Sequence, residues 1–179
     1  VIFKRNKEKY PFETKLLGNY NVYNILSSIA LGKRLGIPIE NLQQSIKMVR
    51  QIEGRLELKD FKYMYQIDNT FNTNPIGAKV GLDVLELMPG KKVVVTDGIN
   101  PTASNENEKQ MNHIYGSQIA KLNPDLVILV GERQTKHIFK GLLENNYDKN
   151  NIYVVKRMND AYNLIQKIKS KEKVYALFE

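Results

Sequence analysis

Apolar positions at the start of the chain come in short groups. Phe3, Tyr10–Phe12 and Leu16–Leu17 flank a polar turn at Asn6–Lys9, which predicts a strand or hairpin over Ile2–Leu17. Val22, Leu26, Ile29 and Leu35 then recur at helical spacing. Gly36 followed by Pro38 is the usual helix stop. Leu42, Ile46 and Val49 mark a second helix over Ile39–Gln51, closed by Gly54.

From Arg55 onward the rhythm becomes strand–helix alternation. Strands are predicted at Tyr63–Asp68, Lys92–Thr96, Leu126–Val130, Ile152–Val155 and Val174–Phe178. Helices are predicted at Ile76–Leu87, Glu106–Leu122, Thr135–Glu144 and Ala161–Ser170, joined by short turns such as Pro89-Gly90 and Asp97-Gly98. This alternation predicts an α/β fold: a Rossmann-like, mostly parallel sheet with helices on both faces. Lys92–Thr96 and Leu126–Val130 are near-continuous apolar runs, as strands buried on both sides require. The change of rhythm places a boundary near Glu53.

Composition narrows the classes. Apolar residues are 42% of the chain and charged residues 26%, which excludes a disordered chain. No apolar run reaches the roughly 18–20 residues of a membrane-spanning helix. With no Cys there is no disulfide framework and no thiolate metal site. His113 and His137 are too far apart in sequence to suggest a zinc site, so no metal ligand is predicted. Each reads as a packing or surface residue rather than a catalytic base, and Tyr20 and Tyr23 as core aromatics. The net charge is +8, concentrated at Lys4–Lys9 and Lys167–Lys173. Both groups are short and broken by Glu, as solvated surface is. If an anion binds, nucleotide phosphates suit the pattern better than nucleic acid.

Ligands of open parallel sheets collect at the carboxyl ends of strands. Three loops leave those ends: Asp68–Pro75, Thr96-Asp97-Gly98 and Gly131-Glu132-Arg133. The first packs three amides, two hydroxyls and an acid before Pro75. It fits a nucleotide contact at a helix N-terminus and equally an N-capping turn. Gly131–Lys136 lacks the second Gly and the Gly-Lys-Ser/Thr ending of a P-loop, and no Gly-x-Gly-x-x-Gly is present.

Three motifs in order resemble the Mur ligase family. Gly18-Asn19-Tyr20-Asn21-Val22-Tyr23-Asn24 is similar to its Gly-x-(His/Phe/Tyr)-Asn-x-x-Asn segment. Gly54-Arg55-Leu56-Glu57 is similar to its Arg-containing junction between the central and C-terminal domains. Ile67–Pro75 resembles the Asp-Asp-(Ala/Ser/Thr)-Tyr-Asn-Ala-Asn-Pro loop of its D-alanyl-D-alanine-adding, MurF-like branch. The resemblance implies a UDP-sugar-binding domain, a central ATPase domain and a Rossmann-like C-terminal domain. It makes residues 1–53 the end of the central domain, incomplete and without a P-loop, and residues 54–179 the C-terminal domain. The chain starts at Val1 rather than Met, so the expectation is a C-terminal fragment of a longer protein, with the P-loop and most Mg2+ ligands before Val1.

What the resemblance implies in function is an ATP-dependent ligase of peptidoglycan precursor synthesis, cytoplasmic, using ATP and Mg2+. Such an enzyme phosphorylates the carboxylate of a UDP-MurNAc-peptide, and an amino acid or dipeptide acceptor attacks the acyl phosphate. By the same resemblance Asn24 hydrogen-bonds adenine with Asn21 beside it, and Arg55 approaches the phosphates. Asn69 and Phe71 contact the nucleotide, with Arg55 and Asn69 the catalytic candidates. Asn72, Thr73 and Asn74 line the substrate side of the loop. The fragment alone is expected to be inactive, with no nucleic acid partner. Two departures, Asn69 for Asp and the Asp97–Ala103 run without its usual Glu, motivate an alternative: a diverged, non-catalytic binding or regulatory module.

Overall fold

A computed structural model describes residues 1–5, 8–71, 74–99, 105–168 and 171–179. The chain divides into two compact units, Val1–Ile52 and Glu53–Glu179.

In the first unit β1 (Ile2–Arg5) pairs antiparallel with β2 (Glu8–Pro11), Phe3 opposite Tyr10. Helices α1 (Tyr20–Arg34) and α2 (Ile39–Met48) follow. Phe12, Ile25, Ile29, Ile39, Leu42 and Ile46 form the core, with Phe3 and Tyr10 packed against it. The buried stripe of α1 is thus Ile25–Ile29–Gly32. Leu35, counted in the sequence pattern, is 69% exposed. Helix α2 ends at Met48, short of Gln51, because Val49 turns to an extended conformation and faces solvent.

The second unit begins with β3 (Glu57–Asp60) and β4 (Tyr65–Asp68), an antiparallel pair with Glu57 opposite Asp68. Then come α3 (Pro75–Glu86), β5 (Lys91–Thr96), α4 (Asn105–Leu122), β6 (Leu126–Val130) and α5 (Glu132–Glu144). β7 (Ile152–Val155), α6 (Met158–Gln166) and β8 (Val174–Phe178) complete it. The six-stranded sheet has the order β3-β4-β8-β5-β6-β7, parallel except for β3. Val93, Val95, Ile128, Ala176 and Phe178 point to one face, where Ala161 and Ile165 of α6 cover them. The alternate residues Val94, Val127, Leu129 and Leu177 are buried on the opposite face, which carries α3, α4 and α5. Helices α4 and α5 approach closely through two glycines: a Cβ on Gly116 would strike Ile138 O, and one on Gly141 would strike His113 O.

The α/β class and the parallel order match the sequence reading. β3 was not foreseen, because Glu57-Leu58-Lys59-Asp60 carries one apolar residue and reads as a loop. Helix α5 starts at Glu132 rather than Thr135, since Gly131, at φ +82, turns the chain directly out of β6. Helix α6 starts at Met158 rather than Ala161, where the Asp160 carboxylate accepts from Arg157 N–H at 3.2 Å.

Candidate functional site

The parallel strands all end at one edge of the sheet, and the loop after β4 lies there. Asp68 is the last residue of β4 and is 7% exposed. Lys59, beside it on β3, donates to its Oδ2 at 2.6 Å. Thr70 donates to Oδ1 twice, from its hydroxyl at 2.7 Å and its N–H at 3.2 Å. Burial pushes the Asp68 carboxyl up, but the Lys59 and Thr70 hydrogen bonds outweigh it and hold the group below its ordinary value.

Asn69 turns inward. Its Oδ1 accepts from Leu56 N–H at 3.2 Å, and its Nδ2 donates to Gly77 O at 3.3 Å and to Glu179 Oε1 and Oε2 at 3.0 and 2.9 Å. The next residue but one reaches the junction segment: Phe71 N–H donates to Gly54 O at 3.0 Å. Gly54 stands at φ +67, and a Cβ there would lie 3.1 Å from that of Phe71, so the close approach favours glycine. Arg55 projects over Phe71, its Cζ 4.4 Å from the ring centroid. Both side chains are exposed, and no carboxylate pairs with Arg55 among the described residues. Asn74 caps α3, its Oδ1 accepting from Ile76 and Gly77 N–H at 3.1 and 3.0 Å, with Pro75 at the first helical position.

Arg55, Asn69, Phe71 and Asn74, singled out separately in the sequence, therefore share one loop cluster. Asn72 and Thr73 lie outside the described residues, as does most of the Asp97–Ala103 run. Asn21 and Asn24 belong to the first unit. Asn24 Nδ2 donates to Asn21 Oδ1 at 3.1 Å, and Asn21 Nδ2 donates to Leu17 O at 2.6 Å. Tyr20 and Tyr23 beside them are 41% and 73% exposed, not core aromatics. His113 pairs with Glu144 at 2.6 Å across α4 and α5, a surface contact.

Behind the loop a cavity of about 350 Å³ opens at the carboxyl ends of β4, β5 and β8. Asp68, Thr70, Asp97, Tyr162 and Glu179 line it, with Gln66 accepting from Tyr162 O–H at 3.0 Å. Glu179 is the residue that motif reasoning missed. It is 2% exposed, and burial pushes its carboxyl up to about 8 against the opposing Asn69 hydrogen bond. Its place two residues after inward-facing Leu177 was the available signal, since alternation carries Glu179 to the same face. Lys59 was missed with β3. No group of three or more His, Cys, Asp or Glu side chains placed to hold a metal ion is found among the described residues.

No protein-family model matches the chain. A 2,6-diaminopimelate ligase MurE homolog of Arabidopsis thaliana chloroplasts is 26% identical over 117 residues, 65% of this chain and 14% of that protein. The UDP-N-acetylmuramoyl-tripeptide--D-alanyl-D-alanine ligase of Buchnera aphidicola is 25% identical over 118 residues, 65% of this chain and 25% of that one. Among solved structures, MurF of Acinetobacter baumannii superposes with a TM-score of 0.81 at 22% identity, covering 99% of this chain and 38% of its own. MurF of Thermotoga maritima in complex with ADP gives 0.74 at 17% identity, with the same coverages of 99% and 38%. The chain is thus similar to Mur ligases in sequence, and its α/β fold is like theirs. The fold is MurF-like over nearly the whole chain, and the chain spans well under half the length of the proteins it matches.

Proposed function

We propose that this chain is the C-terminal part of an ATP-dependent amide ligase of peptidoglycan precursor synthesis. Residues 1–53 are then the end of the ATPase domain and residues 54–179 the Rossmann-like C-terminal domain. The observation that carries this reading is the Gly54–Phe71 junction. Two backbone-directed hydrogen bonds and a cation–π contact present Arg55 on the loop surface with no carboxylate partner among the described residues. A permanently charged, unneutralised guanidinium is suited to phosphate oxygens, which it binds as a planar fork.

In this reading ATP supplies the phosphoryl group that activates the carboxylate of a UDP-MurNAc-peptide. Arg55 neutralises phosphate charge, Phe71 restrains its guanidinium, and Asn21 and Asn24 form the adenine side. Asn69 serves by holding Leu56 in place rather than by reaching outward. Asn72, Thr73 and Asn74 border the acceptor, an amino acid or dipeptide. The ligands of Mg2+ are assigned mostly to residues outside this chain. The chain alone is inactive, and the full protein works in the cytoplasm.

Ligation by the full-length protein, followed as ATP-dependent amide formation from a UDP-MurNAc-peptide and an amine acceptor, tests the reading. Arg55→Ala should lower it about 100-fold, the usual cost of losing a charge-stabilising group, with the thermal midpoint nearly unmoved. Undiminished ligation by that variant would remove Arg55 from the site. A wild-type protein without ATP turnover would favour the non-catalytic module, which the inward-turned Asn69 amide also suits.

A further inference from the structure

Glu179 follows β8 and continues its ladder, its N–H donating to Val95 O at 3.0 Å. Its carboxyl group is buried in a gap that exists because α3 carries glycine there: a Cβ on Gly81 would lie 2.8 Å from Glu179 Oε2. Both carboxyl oxygens accept from Asn69 Nδ2. This fixes which way the amide points. Turned over, Asn69 would set its oxygen against Glu179 and Gly77 O and its NH2 against Leu56 N–H, three mismatches in place of matched pairs.

The orientation matters because of Leu56. It is buried and stands at φ +53, a left-handed conformation that costs a non-glycine residue about 1 kcal/mol. The Asn69 Oδ1 bond to its N–H helps hold it there, while Phe71 N–H holds Gly54 O. Arg55 lies between these two pinned residues. We propose that Glu179 is a positioning residue: it orients Asn69, Asn69 pins Leu56, and Arg55 is thereby aimed over Phe71. Tyr115 of α4, whose buried phenol is pushed up by burial and by Glu179, and Asp68, Asp97 and Tyr162 on the same cavity are the titratable groups around it among the described residues. The consequence for ligation rests on the proposed function; the positioning does not.

Peptide-resolved hydrogen exchange on the full-length protein at about pH 8.5, above the value of about 8 to which the Glu179 carboxyl is pushed, tests the chain of contacts. Asn69→Asp replaces the donor that faces Gly77 O and Glu179 with an acceptor and should speed exchange in segments 54–57 and 69–71 about tenfold or more. The double variant N69D/E179Q restores an amide–carboxylate pair and should return both segments to within about threefold of wild type. E179Q alone should fall between, and β5 and β6 should stay protected in all three. Unchanged exchange in N69D, no recovery in the double variant, or acceleration spread evenly into β5 and β6 would overturn the proposal. If N69D does not fold, E179Q decides: exchange equal to wild type in both segments overturns it. Ligation rates should rank as the exchange data do. A wild-type protein that does not ligate refutes the ligase reading and leaves the exchange result to decide the positioning.

Discussion

The loops after β4 and after β6 leave the same edge of one sheet, and both are polar. They differ in what their polar groups do. After β4, Asp68 is taken by Lys59 and Thr70, Asn69 by Leu56, Gly77 and Glu179, and Asn74 by the start of α3. Arg55 on the neighbouring segment is left facing outward. After β6, Gly131 leads straight into α5, and Arg133 and Lys136 are exposed beside a groove of about 480 Å³ with Phe139 and Val154. Thr135 bonds back, from Oγ1 to Gly131 O at 2.8 Å. The motif-rich loop is therefore mainly a scaffold that aims one cation, whereas the motif-poor loop leaves its cations to solvent. Polar residues in a loop answer first to unsatisfied backbone and buried charge, and only the remainder is free for a ligand.

The contrast can be broken at graded strengths. The largest effect should come from N69D, which removes an inward donor and adds a buried charge. Chemical denaturation of the full-length protein at about pH 8.5 should show a loss of about 3 kcal/mol. Next is pH itself. Glu179 binds its proton more tightly folded than unfolded, its carboxyl standing at about 8 against an ordinary 4.5. The stability of its unit should therefore fall as pH rises from about 4.5 to about 8 and level off beyond, by a few kcal/mol at most. E179Q should flatten that slope, and an unchanged slope would show that another group carries it. Asp68, held below its ordinary 3.8, acts with opposite sign and only at lower pH.

Smaller still, Asn74→Ala should cost about 1 kcal/mol, the loss of the α3 cap. Arg133→Ala and Lys136→Ala should each shift stability by less than about 0.5 kcal/mol, as exposed unpaired cations do. A larger shift in either would mean the loop after β6 is tied down in a way its hydrogen bonds do not indicate.

Much of this was legible in the sequence. Long apolar strands such as Val93–Val95 and Val127–Val130 announce a buried parallel sheet, because only that environment tolerates them. The ordered motifs located Arg55, Asn69, Phe71 and Asn74. What they could not convey was direction. Asn69 reads as a contact residue in one dimension and turns inward because Glu179, 110 positions later, meets it. Glu179 reads as an ordinary acid because nothing local says that Gly81 leaves room for it. β3 was hidden because an antiparallel edge strand can be charged on both sides and still pair.

That edge strand has one more consequence. The β3–β4 ladder sets Glu57 opposite Asp68 and Asp60 opposite Tyr65, with residues 61–64 as its connection. Arg55 is two positions upstream of Glu57, and Phe71 three positions downstream of Asp68. The number of residues in the connecting turn is thus a gauge for the site at the other end of the hairpin. Removing one would re-index the ladder and draw Arg55 one residue along the strand, away from its ring, without touching a single residue that contacts it.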